Sequence, residues 1–180
     1  MEARPSAAVA ARELFDAHGA AVYRFAVVLL RHHQDAEDCV QETFLKLLRH
    51  LEASGDTSNI RGWLFTVAAH AARDRQRHRL RWVPWLSSHE GHAAAPALPD
   101  EDGRLKHARD ALRRLPPRDR LLLALRARGL SYREIASAAN IRPASVGRLL
   151  ARAVDRWTAA TEKNGDTYDL LEGHSNPGAR

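Results

Sequence analysis

The sequence predicts an all-α protein of two small helical domains joined by a flexible linker. Three observations carry the prediction. Apolar residues recur at three- and four-residue spacing through both halves of the chain. Ten glycines and eight prolines in 180 residues are too few for an all-β fold built from many turns. The densest cluster of those two residue types, Pro84, Gly91, Pro96 and Pro99, falls where the apolar period lapses.

In the first half, Leu14, Phe15, Val22, Phe25, Ala26 and Leu29 form one helical stripe. A second helix is expected to open at Asp35 as N-cap, with Glu37 and Asp38 in the first turn, where the helix dipole favours anions. Its stripe is Val40, Phe44, Leu47, Leu48 and Leu51. Gly55 to Asn59 reads as a loop. A third helix carries Ile60, Trp63, Leu64, Val67, Ala68 and Ala71 on one face. Its continuation changes character: Arg73, Arg75, Arg77, Arg79 and Arg81 stand against Asp74 alone.

In the second half, Leu105, Ala108, Leu112 and Leu115 make a short helix that stops before Pro116-Pro117. Another helix runs from Pro117 to Gly129, residues suited to its first position and to the position past its end. Ser131-Tyr132-Arg133-Glu134 is a capping-box sequence. Small residues and Asn140, a left-handed turn residue, follow it. The last helix starts near Arg142-Pro143 and carries Val146, Leu150, Ala153, Val154 and Trp157 inward. The resulting boundaries are an N-terminal domain at 7–82, a linker at 83–103, a C-terminal domain at 104–157 and a disordered tail at 158–180.

Composition narrows function. Apolar residues are 44% and charged residues 28%, as in ordinary folded proteins. The net charge of +6 favours a polyanionic partner, nucleic acid or an anionic membrane surface. Cys39 is the only cysteine, so there is no intramolecular disulfide and no Cys-based zinc cage. The run Phe25 to Leu30 is far short of the ~18 apolar residues of a membrane span. Glu2, Arg4, Arg12 and Glu13 break up the N-terminus and argue against a secretory signal, so a cytoplasmic location is expected.

The last two helices form a helix-turn-helix candidate, with Ser145, Arg148 and Arg152 outward. That division of faces suits a helix entering a DNA major groove, where base edges and phosphates meet guanidinium and short polar groups. A plain helical hairpin with a solvated face would share it. The arginine run is either a solvated helix face or a nucleic-acid surface. Trp63, Trp82 and Trp85 lie near it and suit base stacking or a core, with core favoured for Trp63. Asp35, Glu37, Asp38 and Glu42 either compensate the helix dipole or dock a basic partner, with Gln41 and Glu42 expected to be exposed. The ten histidines are scattered, and no metal or cofactor is expected. No nucleophile motif, phosphate-binding glycine loop or HExxH pattern points to an enzyme. Cys39 reads as partly buried rather than reactive.

Several segments in order resemble the extracytoplasmic-function (ECF, group 4) sigma factors of bacterial RNA polymerase. Asp35 to Leu45 is similar to "DAEDLVQETFL", and Asn59 to Phe65 to "NxRAWLF". Leu115 to Arg120 is similar to "LPPRxR", and Gly129 to Ala136 to "GLSYxEIA". The resemblance implies a sigma region 2 helical bundle and a sigma region 4 helix-turn-helix. It implies docking on core RNA polymerase, its beta and beta-prime subunits, through Asp35, Glu37, Asp38, Gln41, Glu42 and Leu45. It implies minus-ten promoter contacts from Asn59, Arg61, His70, Arg73, Arg75, Arg77 and Arg79, the Gly55–Arg61 loop and the Arg73–Arg79 helix together capturing a flipped base and holding the non-template strand. It implies minus-thirty-five contacts from Arg133, Arg142, Ser145, Arg148 and Arg152. A cognate anti-sigma factor is an implied partner, and the linker would occupy the RNA exit path. The chain departs from the usual pattern at His70, where Asn is common, and at Gly147 and Leu149, where basic or polar groups are common. A stand-alone helix-turn-helix repressor or activator would leave the N-terminal motifs unexplained. A recombinase or nuclease would need a positioned nucleophile or a carboxylate metal cluster, and a membrane binder would use only the basic helix.

Overall fold

The computed structural model describes residues 6–82 and 103–162, with side chains over 6–78 and 108–162. The linker expected at 83–103 lies outside the described residues except for Gly103, which begins a helix. Among the described residues there are seven helices and no strand. They are α1 (Ala7–Leu30), α2 (His33–Ala53), α3 (Ile60–Trp82), α4 (Gly103–Arg114), α5 (Pro117–Ala127), α6 (Tyr132–Ala139) and α7 (Pro143–Glu162).

α1 opens at Ser6, whose hydroxyl accepts from the Val9 amide, and closes at Arg31 in the left-handed region, φ 59°. The next residue, His32, is extended, and its Nδ1 accepts from the Asp35 amide at 3.3 Å. The N-cap of α2 is therefore His32, not Asp35. Asp35 sits inside the first turn, still close to the positive end of the helix dipole. The end of α7 also differs from expectation. The helix runs through 158–162, the start of the expected tail, and the remainder of that tail lies outside the described residues. Trp157 in the last turns donates Nε1–H to the Ala108 carbonyl at 3.1 Å and ties α7 to α4.

The N-terminal domain packs α1, α2 and α3 around Val22, Phe25, Leu29, Leu47, Leu64 and Phe65. Phe25 and Phe65 meet edge to face at 5.2 Å. The buried face of α3 continues as Ala68, Ala69, Ala71 and Ala72, whose small side chains allow close helix approach. There the thiol of Cys39 donates to the Ala68 carbonyl at 3.5 Å. Gln76 donates to the Leu29 carbonyl at 2.8 Å and fixes the far end of α1 to the basic stretch of α3. Phe15, part of the expected stripe, is half exposed and stacks edge-on against Phe44 at 4.9 Å.

In the C-terminal domain, Leu122, Leu125, Ile135, Ala138, Val146 and Leu150 are buried. Asp119 is buried and ion-paired with Arg156 across α5 and α7. The two domains are not held apart. α3 packs on α6 and α1 on α5, and buried residues of both domains form one continuous cluster.

Glu42 is not the exposed carboxylate expected. It is half-buried and accepts from Lys46 at 2.7 Å and from Arg75 at 2.5 Å, so it joins α2 to α3. The Lys46 bond, aided by Arg75, holds its carboxyl below the ordinary range. Glu42→Lys should therefore cost about 1–2 kcal/mol in chemical denaturation, more than the ~0.5 kcal/mol of a free surface site. Glu42→Gln should cost less.

Cys39 is fully buried, and burial pushes its thiol up to about 11. A thiol with a raised folded-state pKa keeps its proton longer in the folded state than in the unfolded one. Stability is unaffected below the ordinary thiol pKa and falls as pH rises from about 9 towards 11. The loss over that window should be about 2–3 kcal/mol and should be absent in Cys39→Ala, measured as the difference in pH dependence between the two proteins.

Candidate nucleic-acid interface

The helix-turn-helix is assembled by local chemistry. Ser131 accepts from the Glu134 amide at 3.3 Å, and Glu134 accepts from the Ser131 amide at 2.7 Å, completing the capping box. Gly129, φ 73°, and Asn140, φ 54°, take the left-handed positions at either end of α6. α7 buries Val146, Leu150 and Ala153. Arg148 and Arg152 are exposed along its other side with Ser145 half-buried near them, Arg142 is exposed just before the helix, and Arg133 is exposed on α6. Leu149 packs against the core rather than facing outward. Gly147 sits beneath Tyr132, where a Cβ would make an ordinary 3.5 Å contact.

The basic helix is more engaged than its sequence suggests. His70, Arg73 and Arg77 share one face of α3 by their three- and four-residue spacing. His70 and Arg77 are exposed. Arg73 instead donates to the Ala138 carbonyl of α6 at 2.7 Å, and its partial burial, then the nearby Arg77, pushes the guanidinium pKa down. Arg75 points to Glu42. The side chain of Arg79 lies outside the described residues. At the start of α3, Asn59 accepts from the Gly62 amide and donates to Glu134 Oε1 at 2.8 Å. Arg61 donates to the Arg128 carbonyl. Asn59, Arg61 and Arg73 thus converge on the C-terminal domain, whereas His70 and Arg77 face solvent.

Sequence reasoning missed Arg128 in this region and read Glu134 only as half of the capping box, not as a partner of Asn59. Desolvation raises the carboxyl pKa of Glu134, but the bonds from Ser131 and Asn59 and the charge of Arg61 outweigh it and bring it below the ordinary range. Burial, then Arg24 and Arg61, pushes the Arg128 guanidinium down, and its cation lies 5.6 Å from the Phe65 ring. Beside this junction a cavity of about 300 Å³ opens between the 56–60 loop and α6, bounded by His50, Asn59, Trp63, Thr66, Arg133 and Glu134. His50 and Trp63 stack at 4.8 Å on its wall.

The six residues singled out on α2 stay on one helix but divide by exposure. Glu37, Gln41 and Leu45, four residues apart, are exposed, Leu45 to 57%. Asp35, Asp38 and Glu42 are half-buried. His32 lies 3.5 Å from Asp35, and Gln34 donates to Asp38 at 3.4 Å. Among the described residues no helix is long and apolar enough to cross a membrane, and no three His, Cys, Asp or Glu side chains gather as a metal site would require.

Two families match the chain, each over one domain: sigma-70 region 2 over residues 14–82, and sigma-70 region 4 over residues 107–156. RNA polymerase sigma factor CarQ of Myxococcus xanthus is 34% identical over 143 residues, 78% of this chain and 82% of that protein. ECF RNA polymerase sigma factor SigL of Mycobacterium tuberculosis is 41% identical over 106 residues, 55% of this chain and 59% of that protein. Among solved structures, the sigma factor RpoE in complex with the anti-sigma factor NepR, from Bartonella quintana, superposes with a TM-score of 0.70 at 26% identity. That match covers 84% of this chain and 96% of the other. With region 2 and region 4 in order on the two domains just described, the chain belongs to the extracytoplasmic-function sigma factors.

Proposed function

We propose that this sigma factor works as the promoter-specificity subunit of bacterial RNA polymerase in the cytoplasm, with no chemistry of its own. The observation that carries the reading is the division of α7. Arg148 and Arg152 are exposed on a helix whose opposite face is locked into the core, with Arg142 exposed just before it, the form required of a helix that enters a major groove. That helix would meet the minus-thirty-five element, with Ser145 and Arg133 beside it. The 55–61 loop and the exposed His70 and Arg77 of α3 would meet the minus-ten strand, joined by Asn59, Arg61, Arg73, Arg75 and Arg79. The Glu37, Gln41 and Leu45 stripe of α2, with Asp35, Asp38 and Glu42 behind it, would dock on core polymerase. Its exposed leucine among polar neighbours suits a helix-to-helix contact. A cognate anti-sigma factor is a third proposed partner, since a solved neighbour is held by one. A stand-alone helix-turn-helix regulator leaves the region 2 match without a role.

The test is run-off transcription by core polymerase reconstituted with the full chain on a promoter library. Selective initiation is expected, and no gain over core polymerase alone would sink the reading. On a selected promoter, Arg148→Ala should weaken use of the upstream element by roughly 1–3 kcal/mol if it reads a base, and by less if it meets only phosphate. Arg77→Ala should impair strand opening instead, and a pre-melted bubble should rescue it but not Arg148→Ala. Equal rescue of both variants would overturn this division of labour.

A further inference from the structure

The seam between the two domains is held by the same side chains that the minus-ten reading needs. Asn59 donates to Glu134, Arg61 to the Arg128 carbonyl and Arg73 to the Ala138 carbonyl. All three acceptors belong to the C-terminal domain. The carboxylate of Glu134 occupies the Asn59 amide and lies within the field of Arg61. Its seat depends on Gly62. A Cβ at that position would overlap Glu134 Oε1 and stand 2.8 Å from both terminal atoms of Asn59. The other oxygen of Glu134 is held by the capping box of α6, so one carboxylate both shapes the helix-turn-helix and closes the seam.

A second observation shows that the closed seam carries a cost. It gathers like charges: Arg128 lies near Arg24 and Arg61, and Arg120 lies near Arg31. Arg120 is buried, with Nε and Nη1 lacking a hydrogen-bond partner. A buried cation with two unpartnered nitrogens and cations close to cations store electrostatic cost in the closed form. A polyanion replacing Glu134 would meet Arg61, whose charge already acts on that carboxylate, and would relieve its repulsion with Arg128.

The geometry points to a self-masked state, in which Glu134 seated against Gly62 latches the C-terminal domain over Asn59, Arg61 and Arg73 and single-stranded DNA must open the latch to bind. The proposal rests on the minus-ten role given to those three residues. It requires the free protein to populate mainly the closed form, with apparent DNA affinity reduced by the open fraction.

The test uses the full chain with Glu52→Cys on α2 and Ala159→Cys on α7, both exposed positions, labelled with a fluorescent donor and acceptor. Cys39 is buried and stays unlabelled. Two opening variants approach the latch from opposite sides: Gly62→Ala displaces the carboxylate, and Glu134→Ala removes it. Neither alters a cation. The DNA probe is a fluorescein-labelled pool of random-sequence single-stranded 20-mers, read by anisotropy. Both variants should lower energy transfer in the free protein and bind the pool about three- to tenfold more tightly, and adding the pool to the parent protein should lower transfer as well. Unchanged transfer and unchanged affinity in both variants would overturn the latch. Lower transfer without tighter binding would overturn the masking, and would place the fault in the assignment of Asn59, Arg61 and Arg73 to DNA rather than in the closure.

Discussion

The burial of one face of α3 is the constraint on which the rest depends. Leu64, Phe65, Ala68, Ala69, Ala71 and Ala72 leave almost no exposed surface, and four of these six are alanine. Short side chains bring α3 close to its neighbours, close enough for the Cys39 thiol to reach the Ala68 carbonyl. The arginine run follows on the same unbroken helix. Its direction is therefore set by the core one or two turns earlier, and Gln76 pins it again to the end of α1. A basic segment on a loop would have no such fixed aim.

The charges around this helix do two kinds of work. Glu42 takes Arg75 and Lys46 together, so the α2 face proposed for polymerase and the α3 face proposed for DNA share a carboxylate. Disturbing one disturbs the other through a short ion-pair network rather than through a change of fold. At the domain seam the balance is reversed. Arginines outnumber carboxylates there, and hydrogen bonds to backbone carbonyls replace ion pairs. Carbonyls neutralise less charge than carboxylates do, which leaves the seam receptive to an outside anion.

Much of the architecture was legible because helix signals are local. The Ser131–Glu134 capping box, Asn140 and Gly129 act within four residues, and each took the conformation its chemistry demanded. The stripes on α2, α3 and α7 were readable for the same reason. Two helix boundaries differed from expectation, one for a local reason and one for a tertiary one. His32 capped α2 because a left-handed Arg31 turned its ring nitrogen towards the Asp35 amide, a geometry that composition does not encode. α7 outran its expected end because Trp157 is anchored to α4, so the polar residues after it continue a helix that is already held in place.

By itself the sequence determined the all-α class, the helix-turn-helix and the residues able to meet a polyanion, since each follows from side-chain type and spacing along one helix. Only the tertiary structure decided which of those residues are free. Glu42 meets Arg75 across 33 positions, Arg73 meets Ala138 across 65, and Asn59 meets Glu134 across 75. No periodicity spans such distances. These pairs exist only once α3 and α6 are packed together and α2 lies against α3, because a side chain's partner is set by the placement of two helices, whereas its helix is set by neighbours within a turn.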